Sequence, residues 1–120
     1  MELIQILKAL GDDNRLRILN ALRCGAICVC ELEEILEMSQ SNVSRHLSKL
    51  TNAKIVTFYK EAKFVYYKID EETLKQHPFI ENIINQELDK VDKFKHECSI
   101  ARHYQSTGNT CEEIMKTKEL

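Results

Sequence analysis

The stretch that decides the fold reads Ser39-Gln40-Ser41-Asn42-Val43-Ser44-Arg45-His46-Leu47-Ser48-Lys49-Leu50. Val43, Leu47 and Leu50 recur at helical spacing, and the Ser39 hydroxyl is suited to capping the first turn. The predicted helix turns one apolar face to the domain, and its outer faces carry groups that bind phosphates or read base edges. These candidate DNA-binding residues are Ser39, Gln40, Ser41, Asn42, Ser44, Arg45, His46 and Lys49. An amphipathic surface helix without a nucleic-acid role is the alternative.

A second short helix is predicted directly before this one. Its apolar residues are Val29, Leu32, Ile35 and Leu36, and Glu37-Met38 supplies the turn between the two helices. Two short helices that cross around a shared core form a helix-turn-helix. Farther upstream, the spacing predicts a helix over Glu2–Leu10 and another that begins at Asp12 or Asp13 and ends near Gly25.

Downstream, the pattern changes to that of a β-hairpin. Residues 55–59 and 64–69 are β-branched and aromatic runs joined by residues 60–63. Lys60 and Lys63 are placed to contact backbone phosphates or the adjacent minor groove. Pro78 then suits the first turn of a last, long helix. The apolar stripe of that helix consists of Ile80, Ile84, Leu88, Val91, Phe94, Cys98 and Ala101.

Together these elements predict a mainly α fold with a two-stranded β-hairpin, in the order α-α-α-α-β-β-α of a winged helix-turn-helix. We expect one DNA-binding and dimerisation domain over residues 1–104 and a polar tail over residues 105–120. The long stripe on the last helix predicts a dimer seam. The candidate interface residues are Leu3, Leu7, Ile80, Ile84, Leu88 and Val91.

The net charge of -2 does not argue against nucleic acid, because the charges are unevenly distributed. Residues 39–68 hold Arg45 and five lysines against a single acidic residue, Glu61. Such a face binds phosphates even on a mildly acidic body, since screening limits charge interactions to roughly 10 Å. A solvated mixed face is the alternative. No apolar stretch is long enough for a membrane span and the first residues lack a secretory signal, so we expect a cytoplasmic protein without a membrane partner.

The cysteines carry the second chemical signal. An odd number of them, 5, does not suit a disulfide framework in a reducing compartment. Cys28 and Cys30 flank Val29 at the start of the predicted third helix, and helix N-termini favour thiolates. Thiolates select soft ions such as zinc, cadmium, lead, copper(I) and trivalent arsenic or antimony. A pair of buried core cysteines is the alternative.

Three stretches together resemble the ArsR/SmtB family of metal-responsive repressors. They are the segment from Leu10 to Leu19, the segment from Cys28 to Leu32, and the string Ser-Gln-Ser-Asn-Val-Ser-Arg-His-Leu from Ser39 to Leu47. The resemblance covers roughly residues 3–69. It implies a homodimer that binds a palindromic operator and releases it when an inducer binds. The hairpin departs slightly from the family, whose wings often carry glycine or arginine at the tip.

A site of two thiols needs a third ligand, and the resemblance does not supply one. Family members with an all-thiolate arsenic site on this helix place a third cysteine where this chain has Glu33, and no cysteine precedes Cys24. We therefore predict a three-thiolate site of Cys28, Cys30 and a C-terminal cysteine, Cys111 or Cys98. Trivalent arsenic or antimony suits three thiolates as the inducer, with Cd(II), Pb(II) and Zn(II) as alternatives and no organic cofactor. The histidines His77, His96 and His103 do not match the spacing of the family's zinc site.

Other functional classes stay in view. A repressor of the same fold could sense redox state, through a disulfide or persulfide that joins Cys28 or Cys30 to Cys98 or Cys111. A small thiol enzyme such as an arsenate reductase needs a phosphate-cradling loop and an arginine after its nucleophile. No arginine follows Cys24, Cys28 or Cys30 before Arg45, so the sequence predicts that the chain is not an enzyme. A protein-interaction module would be favoured if no operator were bound.

Overall fold

Four helices form the N-terminal half of the computed structural model, which describes the backbone of residues 2–107 and the side chains of residues 2–103. They are α1 (Glu2–Leu10), α2 (Asp13–Leu22), α3 (Val29–Leu36) and α4 (Gln40–Asn52). Side chains cap two of them as expected: Asp12 accepts from the Arg15 N–H at 3.1 Å, and Ser39 accepts from the Asn42 N–H at 3.3 Å. Between α3 and α4 the chain reverses through Glu37, whose φ of 53° lies in the left-handed region.

A three-stranded antiparallel sheet follows the order β1-β3-β2. The hairpin strands are β2 (Val56–Glu61) and β3 (Phe64–Ile69), and the loop between them is only Ala62 and Lys63, shorter than the predicted residues 60–63. The short strand β1 (Ile27–Cys28) was not predicted. It pairs with β3, where Cys28 lies opposite Tyr66. The start of α3 is therefore tied to the hairpin.

The long helix predicted from Pro78 is not continuous, and that prediction is wrong. A short helix that was not predicted, α5 (Glu71–Gln76), precedes Pro78. From Pro78 the chain forms α6 (Pro78–Asn82), a π-helical turn (Ile83–Glu87), a 3-10 turn (Leu88–Lys90) and α7 (Asp92–Thr107). Val91, with φ -111° and ψ 119°, is extended and separates the last two elements. Ile80, Ile84 and Leu88 are spaced by four residues, which exceeds the 3.6 residues of an α-helical turn. The wider π-helical turn keeps these side chains on one face.

The predicted dimer seam is corrected by burial within the single chain. Ile80, Ile84 and Leu88 are only 0%, 2% and 4% exposed, because they complete the chain's own core. Leu3, Leu7 and Val91 are exposed by 43%, 47% and 41%, so they remain the candidates for contact with a second copy.

The element order is that of a winged helix-turn-helix, as predicted, with β2 and β3 as the wing. Within residues 2–107, no helix is long and apolar enough to cross a membrane. The boundary predicted at residue 104 falls inside α7, and residues 108–120 lie outside the described part of the chain.

Candidate DNA interface and thiolate site

The second helix of the helix-turn-helix, α4, is the candidate recognition helix, and its residues divide between core and solvent. Val43, Leu47 and Leu50 are buried at 0%, 1% and 0% exposure. The exposed predicted residues are Ser39, Gln40, Ser41, Asn42, Ser44, Arg45 and Lys49. On this face, Arg45 Nη2 donates to Asn42 Oδ1 at 3.2 Å, which orients a guanidinium and an amide side by side. Both groups can read base edges in a major groove.

His46 does not belong to this exposed face, and its prediction as a DNA contact is wrong. The ring is 5% exposed, and its Nδ1 lies 3.3 Å from Arg15 Nη1 and 3.9 Å from Asp12 Oδ1. Burial lowers the pKa of His46, and the neighbouring cations Arg45, Arg15 and Lys49 lower it further against Asp12. Its spacing from Val43 and Leu50 puts it on the buried stripe, a signal that its polar character concealed.

Arg15 connects α4 to α1 through hydrogen bonds, a role that the sequence did not predict. Its Nε donates to the Ala9 carbonyl at 2.7 Å and its Nη2 donates to the Lys8 carbonyl at 3.1 Å. The same guanidinium therefore joins the last turn of α1 to His46 in α4. The side chain is 11% exposed, so these hydrogen bonds are largely shielded from water.

The wing presents the other predicted cations. Lys60 and Lys63 are both exposed, and Lys63 Nζ lies 5.5 Å from the centre of the Phe64 ring. Tyr59 and Tyr66 stack across the two strands with ring centres 5.5 Å apart. Such cross-strand aromatic pairs stabilise a hairpin. The tip of the wing thus carries two exposed positive charges on a hairpin that the stacked tyrosines stabilise, an arrangement suited to phosphate contact.

Cys28 and Cys30 come together at the joint between β1 and α3. Cys28 is the N-cap residue of α3, with extended backbone (φ -72°, ψ 148°), and Cys30 lies in the first helical turn. Inside a helix, residues two apart point to different faces, but the extended N-cap lets both side chains converge. Their Sγ atoms are 3.4 Å apart. Cys28 is 2% exposed and Cys30 is half-buried, so the pair opens to solvent on the Cys30 side.

Glu31 supports this joint and was also missed. Its Oε1 accepts from the Cys28 N–H at 3.3 Å, so the carboxylate caps the start of α3. The residue is 7% exposed, and burial raises its pKa, with the Cys28 N–H working in the opposite direction. The hydrogen bond between the Cys28 N–H and Glu31 thus fixes the backbone that carries the cysteine pair.

The third ligand is not supplied by the side chains of residues 2–103. Within that range, no group of three or more histidine, cysteine or acidic residues is arranged to hold a metal ion. Cys98 is 3% exposed, and its Sγ accepts from Arg23 Nε at 3.1 Å. The structure therefore does not bring Cys98 to the pair within one chain. Cys111 lies outside the described residues.

Comparison with known proteins identifies the family. Residues 12–57 match the family described as "Bacterial regulatory protein, arsR family". The chain is 36% identical over 98 residues to the arsenical resistance operon repressor of Staphylococcus xylosus, and the match covers 82% of this chain and 88% of that protein. The chain belongs to the ArsR family.

Other relatives agree with this assignment. A cadmium resistance transcriptional regulatory protein, a CadC homolog of Staphylococcus aureus, is 42% identical over 77 residues, which cover 63% of this chain and 64% of that protein. This chain thus spans just under two thirds of that relative. The homodimeric winged helix-turn-helix DNA-binding domain Mb0332 of Mycobacterium bovis, with 23% identity and a TM-score of 0.61, matches the fold over 75% of this chain and 84% of that one. As an ArsR-family member, the chain is a DNA-binding transcriptional regulator and not an enzyme.

In this ArsR-family chain, a second arginine fixes the far end of α3. Arg17 Nη2 donates to the Leu36 carbonyl at 2.7 Å and to Glu97 Oε2 at 2.7 Å. The hydrogen bond that Arg17 donates to Glu97 raises the pKa of Arg17, against the opposing effect of burial. The helix that begins at the cysteine pair is therefore joined at its other end to α7.

Proposed function

We propose that this ArsR-family chain is a homodimeric repressor that releases operator DNA when trivalent arsenic or antimony binds Cys28 and Cys30. The observation that carries the proposal is the position of the two sulfurs. They lie 3.4 Å apart at a joint that belongs both to the wing sheet and to the helix preceding the recognition helix. An ion held there acts on both of the elements that contact DNA.

The sulfur spacing supports chelation of one soft ion by both thiolates. The two Sγ atoms are 3.4 Å apart, close to the roughly 3.8 Å that two thiolates span on a tetrahedral ion with metal–sulfur bonds of about 2.3 Å. Trivalent arsenic and antimony suit a site that three thiolates complete. The arsenical and cadmium resistance regulators among the relatives support an inducer of this soft class.

We assign the third thiolate to Cys111, from the same chain or from its partner. Cys98 is less suitable, because it is buried and accepts a hydrogen bond from Arg23. Three thiolates around one ion complete a pyramidal site. Cd(II), Pb(II) and Zn(II) are the competing inducers.

Release follows from the connections of the joint. An ion bound by the two sulfurs acts directly on Cys28, which is paired with Tyr66 in the wing sheet, and on Cys30, which lies in α3. The last turn of α3 leads through Glu37 directly into α4, so a tilt of α3 displaces the recognition helix. A tenfold to hundredfold loss of operator affinity needs a coupling free energy of only ~1.4–3 kcal/mol.

The proposed dimer uses the apolar face that one chain leaves exposed. Leu3, Ile4 and Leu7 on α1 are exposed by 43%, 45% and 47%, and Val91 is exposed by 41%. Two copies related by a two-fold axis read a palindrome whose half-sites lie about 34 Å, one helical turn of DNA, apart. We therefore expect a palindromic operator.

The test is a titration of the reduced protein bound to DNA from its own upstream region, followed by fluorescence anisotropy. Arsenite or antimonite should release the DNA at lower concentration than Cd(II), Pb(II) or Zn(II). Cys28→Ser and Cys30→Ser should bind DNA but lose the response, whereas Cys24→Ser, a change at an exposed cysteine outside the pair, should respond like the unaltered chain. Unchanged operator affinity at saturating arsenite contradicts the proposed inducer. Absence of any operator binding contradicts the repressor and favours a protein-interaction module.

Redox sensing by the same pair is the second candidate, and the contact between the two sulfurs favours it. In that case metals leave operator binding unchanged, while mild oxidation in the presence of a chelator releases the DNA. Mass spectrometry of the released protein identifies which cysteines have been oxidised.

A further inference from the structure

Two other cysteines, Cys24 and Cys98, form a separate cluster with arginines between α2 and α7. Cys24 follows α2 and is exposed, and its Sγ accepts from Arg102 Nε at 3.1 Å. Cys98 lies one turn before Arg102 on α7, and its Sγ accepts from Arg23 Nε at the same distance, 3.1 Å. The two sulfurs thus have the same kind of partner but differ in exposure, since Cys98 is buried at 3%.

A cationic cavity of about 270 Å³ adjoins this cluster. It is lined by Arg23, Asp89, Lys95, Cys98, Ser99 and Arg102. The carboxylate of Asp89 is paired with Arg23 at 2.6 Å. Within residues 2–103, Lys95 and Arg102 form no ion pair with a carboxylate. Among the lining residues, the Asp89 carboxylate faces the three cations Arg23, Lys95 and Arg102, so the cavity carries a net positive charge. Arg102 links this cavity to the exposed thiol of Cys24.

We propose that Cys24 is a modification site that reacts preferentially with anionic low-molecular-weight disulfides. This site is separate from the Cys28–Cys30 pair and does not rest on the proposed inducer. Lys95 and Arg102 attract the negative groups of the reagent, and the cavity accommodates part of it. The guanidinium of Arg102 stabilises negative charge on the sulfur atoms as they exchange.

The reaction is a thiol–disulfide exchange and needs no oxidant other than the disulfide itself. The Cys24 thiol gives its proton to solvent, and the thiolate attacks one sulfur of the reagent R–S–S–R. A bond forms between Cys24 Sγ and that sulfur, the original S–S bond breaks, and R–S⁻ leaves with the electron pair. Cys24 is oxidised to the mixed disulfide, the sulfur now bonded to it keeps its oxidation state, and the leaving half is reduced to the thiolate.

Charge selection sets the size of the expected effect. Two cations near a reacting anion raise its local concentration, and salt screens the attraction. We expect Cys24 to react about tenfold faster with an anionic disulfide than with a neutral one at low ionic strength, and about twofold faster at 1 M salt. Cys98 has the same arginine contact but is buried, so it should stay unmodified in the folded protein and serves as an internal control.

The experiment treats the reduced full chain with oxidised glutathione, which is anionic, with hydroxyethyl disulfide, which is neutral, and with cystamine, which is cationic. Peptide mass spectrometry follows the adduct at Cys24. Each rate is divided by the rate for the same reagent with the chain unfolded in urea, which removes differences in intrinsic reactivity. The expected order of normalised rates is anionic, then neutral, then cationic.

Variants locate the selectivity. The double variant Lys95→Gln/Arg102→Gln should remove the preference for the anionic reagent. Lys93→Gln is the matched control, because Lys93 lies on the same helix but is paired with Asp13 at 2.6 Å. It should keep the preference. Equal normalised rates for the three reagents, or a preference that persists in the double variant, overturns the proposal.

Discussion

Arg15 and Arg17 are two residues apart on α2 and hold opposite sides of the domain. Arg15 faces the DNA side, where its partners are the carbonyls of Lys8 and Ala9 and the ring of His46. Arg17 faces the cysteine side, where it joins the end of α3 to Glu97. The hydrogen bonds of Arg15 at the recognition helix go to neutral acceptors, and its carboxylate partner Asp12 lies farther away, at 3.7 Å. Arg17, at the helix of the cysteine pair, forms a close ion pair with Glu97 at 2.7 Å. The first link should therefore be less sensitive to salt than the second.

The largest effect is expected from Arg15→Ala. It leaves two backbone carbonyls and the buried His46 Nδ1 without their donor, which should lower the free energy of unfolding by about 3 kcal/mol. Arg15→Lys keeps the charge but loses the forked geometry, so it should recover only part of the loss. Urea unfolding at low and high salt measures both. A loss below about 1 kcal/mol, or one that shrinks in high salt, contradicts the difference drawn between the two arginines.

A smaller effect is expected from the Arg17–Glu97 pair, whose side chains are 21% and 13% exposed. A double-mutant cycle with Arg17→Ala and Glu97→Ala should give a coupling free energy of about 1–2 kcal/mol at low salt. The coupling should fall at 1 M salt because the interaction is ionic. A coupling that is insensitive to salt would mean that this link resembles the one at Arg15. The Lys90–Glu87 pair, with side chains 69% and 52% exposed, is the matched control and should give almost none.

The free energy of unfolding should also depend on pH, because His46 lies buried beside Arg15. Burial lowers its pKa below the ordinary value of 6.5, so the unfolded chain binds the proton more readily than the folded one. Stability is therefore complete above pH 6.5 and falls as the pH drops below that value. His46→Asn should unfold with a weaker pH dependence between pH 7.5 and 5.5 in urea titrations. An unchanged pH dependence would show that other groups cause the acid response.

The smallest effect is expected in the wing, which neither arginine contacts. Ala62 has a φ of 56°, a conformation that costs a residue with a side chain about 1–2 kcal/mol relative to glycine. Ala62→Gly should raise the midpoint of urea unfolding by the equivalent of about 0.5–1 kcal/mol, since glycine also adds freedom to the unfolded chain. Glu37, in the turn between α3 and α4, has a φ of 53°, so Glu37→Gly should also raise the midpoint of urea unfolding. A loss of stability in both variants would contradict the assigned strain.

The sequence predicted those features that depend on neighbours along the chain. The bounds of α1 and the cap of α4 at Ser39 were visible because helical periodicity and capping are local. Strand β1 was missed because two residues show no alternation, and its partner in β3 lies about forty positions away. The break at Val91 was missed because the four-residue spacing of apolar side chains continues across the π-helical turn.

The site shows the same division. The convergence of Cys28 and Cys30 followed from their position at a helix start, and the exposed face of α4 followed from its apolar stripe. Tertiary packing brings Arg15, Arg17 and Glu97 to their partners, so no local sequence pattern predicted these contacts. His46 was assigned to DNA from its residue type, although its spacing placed it with Val43 and Leu50. Position on the helix was the better guide.

Under the proposed function, the joint at Cys28 separates the binding of the inducer from the binding of DNA. The β1–β3 pairing and the hydrogen bond from the Cys28 N–H to Glu31 use main-chain groups of residue 28, not its sulfur. These main-chain contacts do not depend on the thiol, so a residue of similar size at the buried position 28 can keep the strand pairing and the hydrogen bond to Glu31. A lineage could lose or exchange its signal by altering two codons and retain its operator.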